Sequence, residues 1–171
     1  MASSGRGRPA PFDPLLALRT LDAHEVRFVL IGGFAGRLHG SPTVTNDLDL
    51  CYARDQRNLE RLAAALRDLR SRLRGAPDDV PFILDAKWLQ MGGNFTFATD
   101  AGSLDMLAAP SGVRGFDELD RTAEVMDLDG LTVKVAALED LIRMKQAAAR
   151  PKDLIEAQVL GALRDEIDSA R

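Results

Sequence analysis

Val26-Arg27-Phe28-Val29-Leu30-Ile31-Gly32-Gly33 is a short apolar run closed by two glycines, and after thirteen intervening residues comes Asp47-Leu48-Asp49-Leu50. The first stretch reads as a buried strand over 26–31. Gly32 and Gly33 then let the backbone turn tightly and approach a ligand before a short helix over about 34–39. Backbone amides at such a strand-to-helix turn favour phosphate. The second stretch reads as a strand over about 47–52. Residues i and i+2 of a strand share a face, so Asp47 and Asp49 project together while Leu48 and Leu50 enter the core behind them. Two carboxylates on one face repel unless a cation lies between them. Mg²⁺ suits the place, because it prefers oxygen ligands and keeps positions open for phosphate oxygens.

Outward from this centre, Asp13-Pro14 looks like an N-cap followed by proline at the first helical position, opening a helix through Leu15, Leu16, Leu18 and Leu21. From Asp55 to Arg74, leucines 59, 62, 66, 69 and 73 recur at three- and four-residue steps and predict one amphipathic helix, ended by Gly75-Ala76-Pro77. The stretch 78–93 carries no clear period. Asn94–Thr99 alternates like a strand, Asp100–Ser103 supplies turn residues, and Leu104–Leu107 returns as its partner. A second hairpin is expected over 123–128 and 131–135 around Asp129-Gly130. The remainder reads as helix, interrupted at Arg150-Pro151.

The chain has 171 residues, 46% of them hydrophobic, enough for one domain with a proper core and cramped for two. The expected division is a flexible tail over 1–12 and a single domain over 13–171. The net charge of −4 advertises no general affinity for nucleic acid, so any RNA contact must be a local patch. The single cysteine, Cys51, cannot build a disulfide framework; it sits in an apolar strand, reads as core and fits a reducing cytoplasm. Met1–Pro11 has no apolar stretch, so neither a signal peptide nor a membrane anchor is expected there.

Two metal ions beside a nucleotide need more oxygen ligands than one Asp pair provides, and Asp105 is the best third carboxylate. It lies between Leu104 and Met106 on a strand expected to neighbour the aspartate strand, where an unpaired carboxylate would be costly. The alternative places it facing solvent on an edge strand.

These residues resemble the nucleotidyltransferase superfamily, the polymerase-β-like fold, whose signature is a Gly-Gly or Gly-Ser turn, an Asp-x-Asp pair and a distant third Asp. Leu138-Glu139-Asp140-Leu141-Ile142-Arg143-Met144-Lys145, continuing to Arg150-Pro151-Lys152-Asp153-Leu154, resembles a segment of small bacterial AbiEii/MenT-type toxins. The resemblance covers about residues 25–160. It implies an α/β fold, with a small mixed sheet flanked by helices and followed by a C-terminal helical segment. It also implies metal-dependent transfer of a nucleoside monophosphate from an NTP, with Asp47, Asp49 and Asp105 binding two Mg²⁺ ions and Asp105 helping to deprotonate the attacking hydroxyl. Gly32, Gly33 and Thr45 would cradle the triphosphate, Lys145 would be its cation, and Asp153 would orient that lysine.

Each role has a plainer alternative. Lys145 could be a solvated helix lysine, with Lys134 as rival. Asp153 could simply suit the dipole at the start of the last helix, and Arg150 is ambiguous in the same way. Thr45 could be a strand-entry threonine. Arg37 and His39 lie near the glycine turn, but a lone histidine on a short helix is more often structural.

Between Arg54 and Arg74 stand seven arginines and three acidic residues, a local charge of +4. Helical projection sets Arg54, Arg57, Arg61 and Arg72 opposite the leucines. Such a run is usually a solvated face; it could equally contact an RNA phosphate backbone or an acidic protein. The resemblance to the toxins implies the 3′ end of tRNA as acceptor, with a cognate antitoxin as partner. Two other acceptors stay open: a HEPN-type toxin adenylylated as a protein, and a small hydroxylated drug, for which the chain offers no additional substrate domain. A non-catalytic nucleotide-binding module is the reading outside the enzyme class, and survival of all three carboxylates argues against it.

Overall fold

The computed structural model describes residues 10–77 and 79–171. Among the described residues seven strands form one mixed sheet, and all but β3 follow directly from the sequence pattern. They are β1 (Phe28–Ile31), β2 (Asp47–Tyr52), β3 (Arg72–Leu73), β4 (Phe95–Thr99), β5 (Gly102–Leu107), β6 (Glu124–Leu128) and β7 (Leu131–Val135). Their order across the sheet is β3-β4-β5-β2-β1-β7-β6. β2 runs antiparallel to β1 and parallel to β5, while β1 and β7 are parallel. The fold class is the expected α/β one.

β1 and β2 sit at the centre because both faces of the sheet are covered there, as the buried Val29, Leu30, Leu48, Leu50, Cys51 and Tyr52 record. Cys51 is indeed core, and burial pushes its thiol up to about 12. Around the sheet stand α1 (Pro14–Ala23), α2 (Gly32–His39), α3 (Gln56–Asp68), α4 (Ala86–Met91), α5 (Phe116–Thr122), α6 (Leu138–Ala148) and α7 (Pro151–Ser169). Asp13 caps α1 and Asp55 caps α3 through their carboxylates, and Pro14 and Pro151 occupy first-turn positions where no amide partner is missed. Leu59, Leu62 and Leu66 bury the stripe of α3 completely. Truncating any one of them to Ala would cost about 2–5 kcal/mol.

Three expectations about element boundaries change. The glycines do not form a turn ahead of a helix at 34; α2 begins at Gly32 itself. Without a Cβ, Gly32 passes from strand to helix with φ +71, so no intervening loop is needed. The helix expected through Arg74 ends at Asp68, since Arg70 adopts a left-handed φ of 50 and Arg72-Leu73 pairs with Phe97-Ala98 as the sheet's edge. Leu73 therefore packs against the core from a strand. In the aperiodic 78–93 region Asp85 caps α4, its carboxylate accepting from the Trp88 amide at 2.8 Å. Residues 1–9 of the expected tail lie outside the described residues; Phe12 packs edge-on against Phe34, and the Asp13 amide bonds to the Ala101 carbonyl at 2.9 Å. Among the described residues no helix is long and apolar enough to cross a membrane.

Candidate active site

The register of β2 and β5 sets Asp49 directly beside Asp105. Asp47, two residues earlier on β2, points to the same face and pairs with Ser103 in the next row. Burial, a side-chain hydrogen bond to Asp105, and the charges of Asp105 and Asp47 together push the Asp49 carboxyl from 3.8 up to about 7, with Lys145 opposing them. The Oδ1 atom of Asp105 is buried without a hydrogen-bond partner. Its nearest cation is Arg74, whose Nη2 lies 3.6 Å away, an ion-pair distance too long for a hydrogen bond. Arg74 Nη1 is also 4.0 Å from Asp47, whose carboxylate is half exposed.

Gly32 makes this pair possible. A Cβ at that residue would lie 2.0 Å from Asp49 Oδ2, so any side chain there displaces the carboxylate. A Cβ on Gly33 would come to 3.1 Å from Thr45. Thr45 Oγ1 in turn donates to the Asp47 carbonyl at 3.2 Å and accepts from the Asp47 amide at 3.5 Å. Thr45 thus shapes the entry of the aspartate strand as well as bordering the glycines.

A cavity of about 250 Å³ opens over the pair, lined by Gly32, Asp49, Asp105, Lys145, Arg150 and Asp153 among others. Asp153 is 1% exposed and accepts from Lys145 Nζ at 3.4 Å and from Arg150 Nε at 2.6 Å. Burial opposes its ionisation, but the bond from Arg150, the charges of Lys145 and Arg150, and the bond from Lys145 outweigh it and hold the carboxyl below its ordinary value. Asp153 therefore orients Lys145, and Arg150 shares the site.

The rival lysine falls away: Lys134 pairs with Asp120 at 2.7 Å and does not line the cavity. His39 is structural, its Nε2 bonded to the Ala136 carbonyl at 2.8 Å. Arg37 is held by the Thr43 carbonyl at 3.3 Å.

Most of the arginine run is exposed, as a solvated face would be, but several of its members are also tied to the fold. Arg54 donates to the carbonyls of Leu89, Gln90 and Gly92, tying the link between β2 and α3 to the end of α4. Arg61 pairs with Glu25, Arg67 bonds to the Leu84 carbonyl at 2.7 Å, and Arg70 pairs with Asp100 at 2.7 Å. Arg74, at the end of the segment expected to be helical, reaches the carboxylates of Asp105 and Asp47. Its signal in the sequence is the period-two alternation Arg72-Leu73-Arg74 just before Gly75, which suits a strand and sets both arginines on one face.

The positive charge beside this donor set is loosely placed, with Arg74 at ion-pair distance and without a hydrogen bond to either carboxylate. Among the described residues no three His, Cys, Asp or Glu side chains form a ready-made metal cluster. The orphaned oxygen of Asp105 and the suppressed ionisation of Asp49 nevertheless fit an oxygen-seeking cation, which would favour the charged form of Asp49.

No family model matches the chain, and no curated protein matches it. Solved structures do. ANT(2'')-Ia in complex with adenylyl-2''-tobramycin superposes with a TM-score of 0.55 at 17% identity, over 92% of this chain and 95% of that one. The lincosamide antibiotic adenylyltransferase LnuA, bound to lincomycin, gives 0.56 at 12% identity, over 90% and 99% of the two chains. A nucleotidyltransferase-like protein from Paracoccidioides brasiliensis gives 0.52 at 17% identity, over 90% and 78%. The fold is that of the nucleotidyltransferases.

Proposed function

We propose that this chain, built on the nucleotidyltransferase fold, transfers a nucleoside monophosphate from an NTP to an acceptor hydroxyl. The observation that supports this most strongly is the pairing of Asp49 with Asp105 beside Gly32, with Lys145 lining the same cavity. The acceptor oxygen attacks the α-phosphorus of the NTP; the new O–P bond forms as the α–β anhydride bond breaks and pyrophosphate leaves. Asp105 accepts the hydroxyl proton. Lys145, aimed by Asp153, neutralises the triphosphate, and the amides of Gly32 and Gly33, with Thr45 behind them, hold its oxygens. Asp47, Asp49 and Asp105 would hold Mg²⁺ ions that screen the charge on the entering and leaving oxygens. The chain's own contribution is alignment and fixed charge.

For the acceptor, the Leu138–Leu154 segment, similar to that of the AbiEii/MenT-type toxins, favours the 3′ end of tRNA, within a toxin–antitoxin pair. The second reading is a hydroxyl on a small molecule. It is favoured by LnuA and ANT(2'')-Ia, antibiotic-related structures matched over 99% and 95% of their chains. The test incubates the protein, Mg²⁺ and each α-labelled NTP with total tRNA, with tobramycin, with lincomycin, or with a protein lysate. Label entering tRNA supports the first reading and label entering a drug the second. Label entering protein, or no label anywhere, contradicts both.

A further inference from the structure

Among the described residues α7 is the longest helix, and it turns one side to the fold. Its buried residues are Asp153, Ala157 and Leu160, and the missing side chains of Gly36 and Gly40 leave room for Leu160 and Leu163. Apolar residues nevertheless continue onto the other side. Ile155 is 63% exposed, Val159 is half-buried, and Ala162 is open to solvent. Lys152, Ile155, Val159, Ala162 and Glu166 recur at steps of three, four, three and four residues, so they form one stripe, turned away from Asp153 and Ala157.

The two ends of this stripe carry charges set against the helix's own dipole, which favours acidic groups at the N-terminus and basic groups at the C-terminus. Lys152 stands in the first turn of α7 and Glu166 in the last, both exposed, and neither side chain has an ion pair or hydrogen bond among the described residues. About 21 Å of helix separates them, too far for one to answer the other within the chain. Each lies seven residues from Val159. A second α7, antiparallel and related by a two-fold axis at Val159, therefore sets each Lys152 opposite Glu166 of the other copy. Ile155 and Ala162 then meet across the axis, large against small, and each helix end lies beside the opposite end of its neighbour.

We propose that the stripe from Lys152 to Glu166 is a docking surface for a second copy of this chain, closed as a symmetric antiparallel pair of α7 helices. The pairing is independent of the reaction proposed above. It leaves the catalytic cavity open, because Asp153, which lines that cavity, is on the other side of α7. It also braces from outside the helix whose Asp153 holds Lys145 and whose Glu156 accepts from Thr43 Oγ1 at 2.8 Å. One helix from each copy makes a small interface, so the association is reversible, with a Kd on the order of 10–100 µM.

The test is sedimentation equilibrium of the full-length protein from about 5 to about 500 µM, over which wild type should pass from monomer to dimer. Ile155→Glu places a charge in the apolar part of the stripe and should raise the Kd at least about tenfold. Lys152→Glu and Glu166→Lys each set like charges opposite one another at both ends of the pair and should weaken self-association about tenfold. An equimolar mixture of those two variants should associate about as tightly as wild type, because both ends of the mixed pair again carry opposite charges. All three positions are exposed, so the circular dichroism of the variants should match wild type. A wild-type protein that stays monomeric at about 500 µM would overturn the proposal. So would dimers that Ile155→Glu leaves intact, or a mixture of the charge variants no tighter than either alone, since both place the contact elsewhere.

Discussion

Two carboxylates on the walls of one cavity are driven in opposite directions. Asp153 is almost wholly buried, yet Lys145 and Arg150 both reach it and its carboxyl stays below the ordinary range. Asp49 faces Asp105 and Asp47 instead, and its carboxyl rises to about 7. The residue type is the same and burial opposes the charge in both. The neighbours decide the sign. Asp153 is a completed ion cluster, whereas Asp49 and Asp105 face each other with Arg74 only at ion-pair distance, and it is there that the proposed chemistry would take place.

The largest effect that would break this contrast is on activity. Asp49→Asn should lower transfer by about 10³-fold or more, since it removes an oxygen ligand and a charge aimed at the reacting phosphate. Full activity in that variant, assayed with α-labelled NTP, would remove Asp49 from the site. Next comes stability: Asp153→Ala removes the charged hydrogen bonds that Lys145 and Arg150 make to it and should cost about 2–3 kcal/mol, read by urea unfolding at neutral pH.

The two carboxylates also predict pH dependences of opposite sign in chelator. Asp49 binds its proton more tightly folded than unfolded, so stability is greatest with the group protonated and falls as pH rises from about 4 to about 7, on the order of 2–4 kcal/mol. Asp49→Asn should remove that fall. Asp153 contributes stability above its unfolded pKa that is lost as pH drops through its lowered folded value, so the wild-type profile should bend down again on the acid side. Chelator-free unfolding curves in Mg²⁺ should flatten only the Asp49 limb. The smallest effect belongs to Gly33→Ala, which needs Thr45 to give by a few tenths of an ångström and should cost about 1 kcal/mol; Gly32→Ala strikes Asp49 at a left-handed φ and should cost more, activity included.

The difference between the two clusters also explains what could be read from the sequence. Asp47, Asp49 and the Gly32-Gly33 junction were legible because strand period and glycine use are local properties, and β2 came out at its expected residues. The pairing of Asp49 with Asp105 was only an expectation of neighbouring strands, because register across 56 residues depends on sheet assembly. Arg74 was misread as helix, since Leu73 continues the leucine period of α3 and both a helix and an edge strand bury it. Only the competition of β4 for Arg72-Leu73 decides, and no window confined to α3 contains β4. The arginine run lies at the surface as its charge suggests, while some of its members are also ties, because charge counts do not reveal which carbonyls α4 brings within reach. Helices α4 and α5 are too short to establish a period.

The central claim is that the Asp49–Asp105 pair directs attack at the α-phosphorus of a nucleotide. It is tested most directly by running parallel reactions with α-labelled and γ-labelled NTP, using the acceptor that takes label, in wild type and Asp49→Asn. The account predicts α-label on the acceptor, γ-label in released pyrophosphate, and neither product from the variant. Label from the γ position on the acceptor, or equal turnover by the variant, would contradict it.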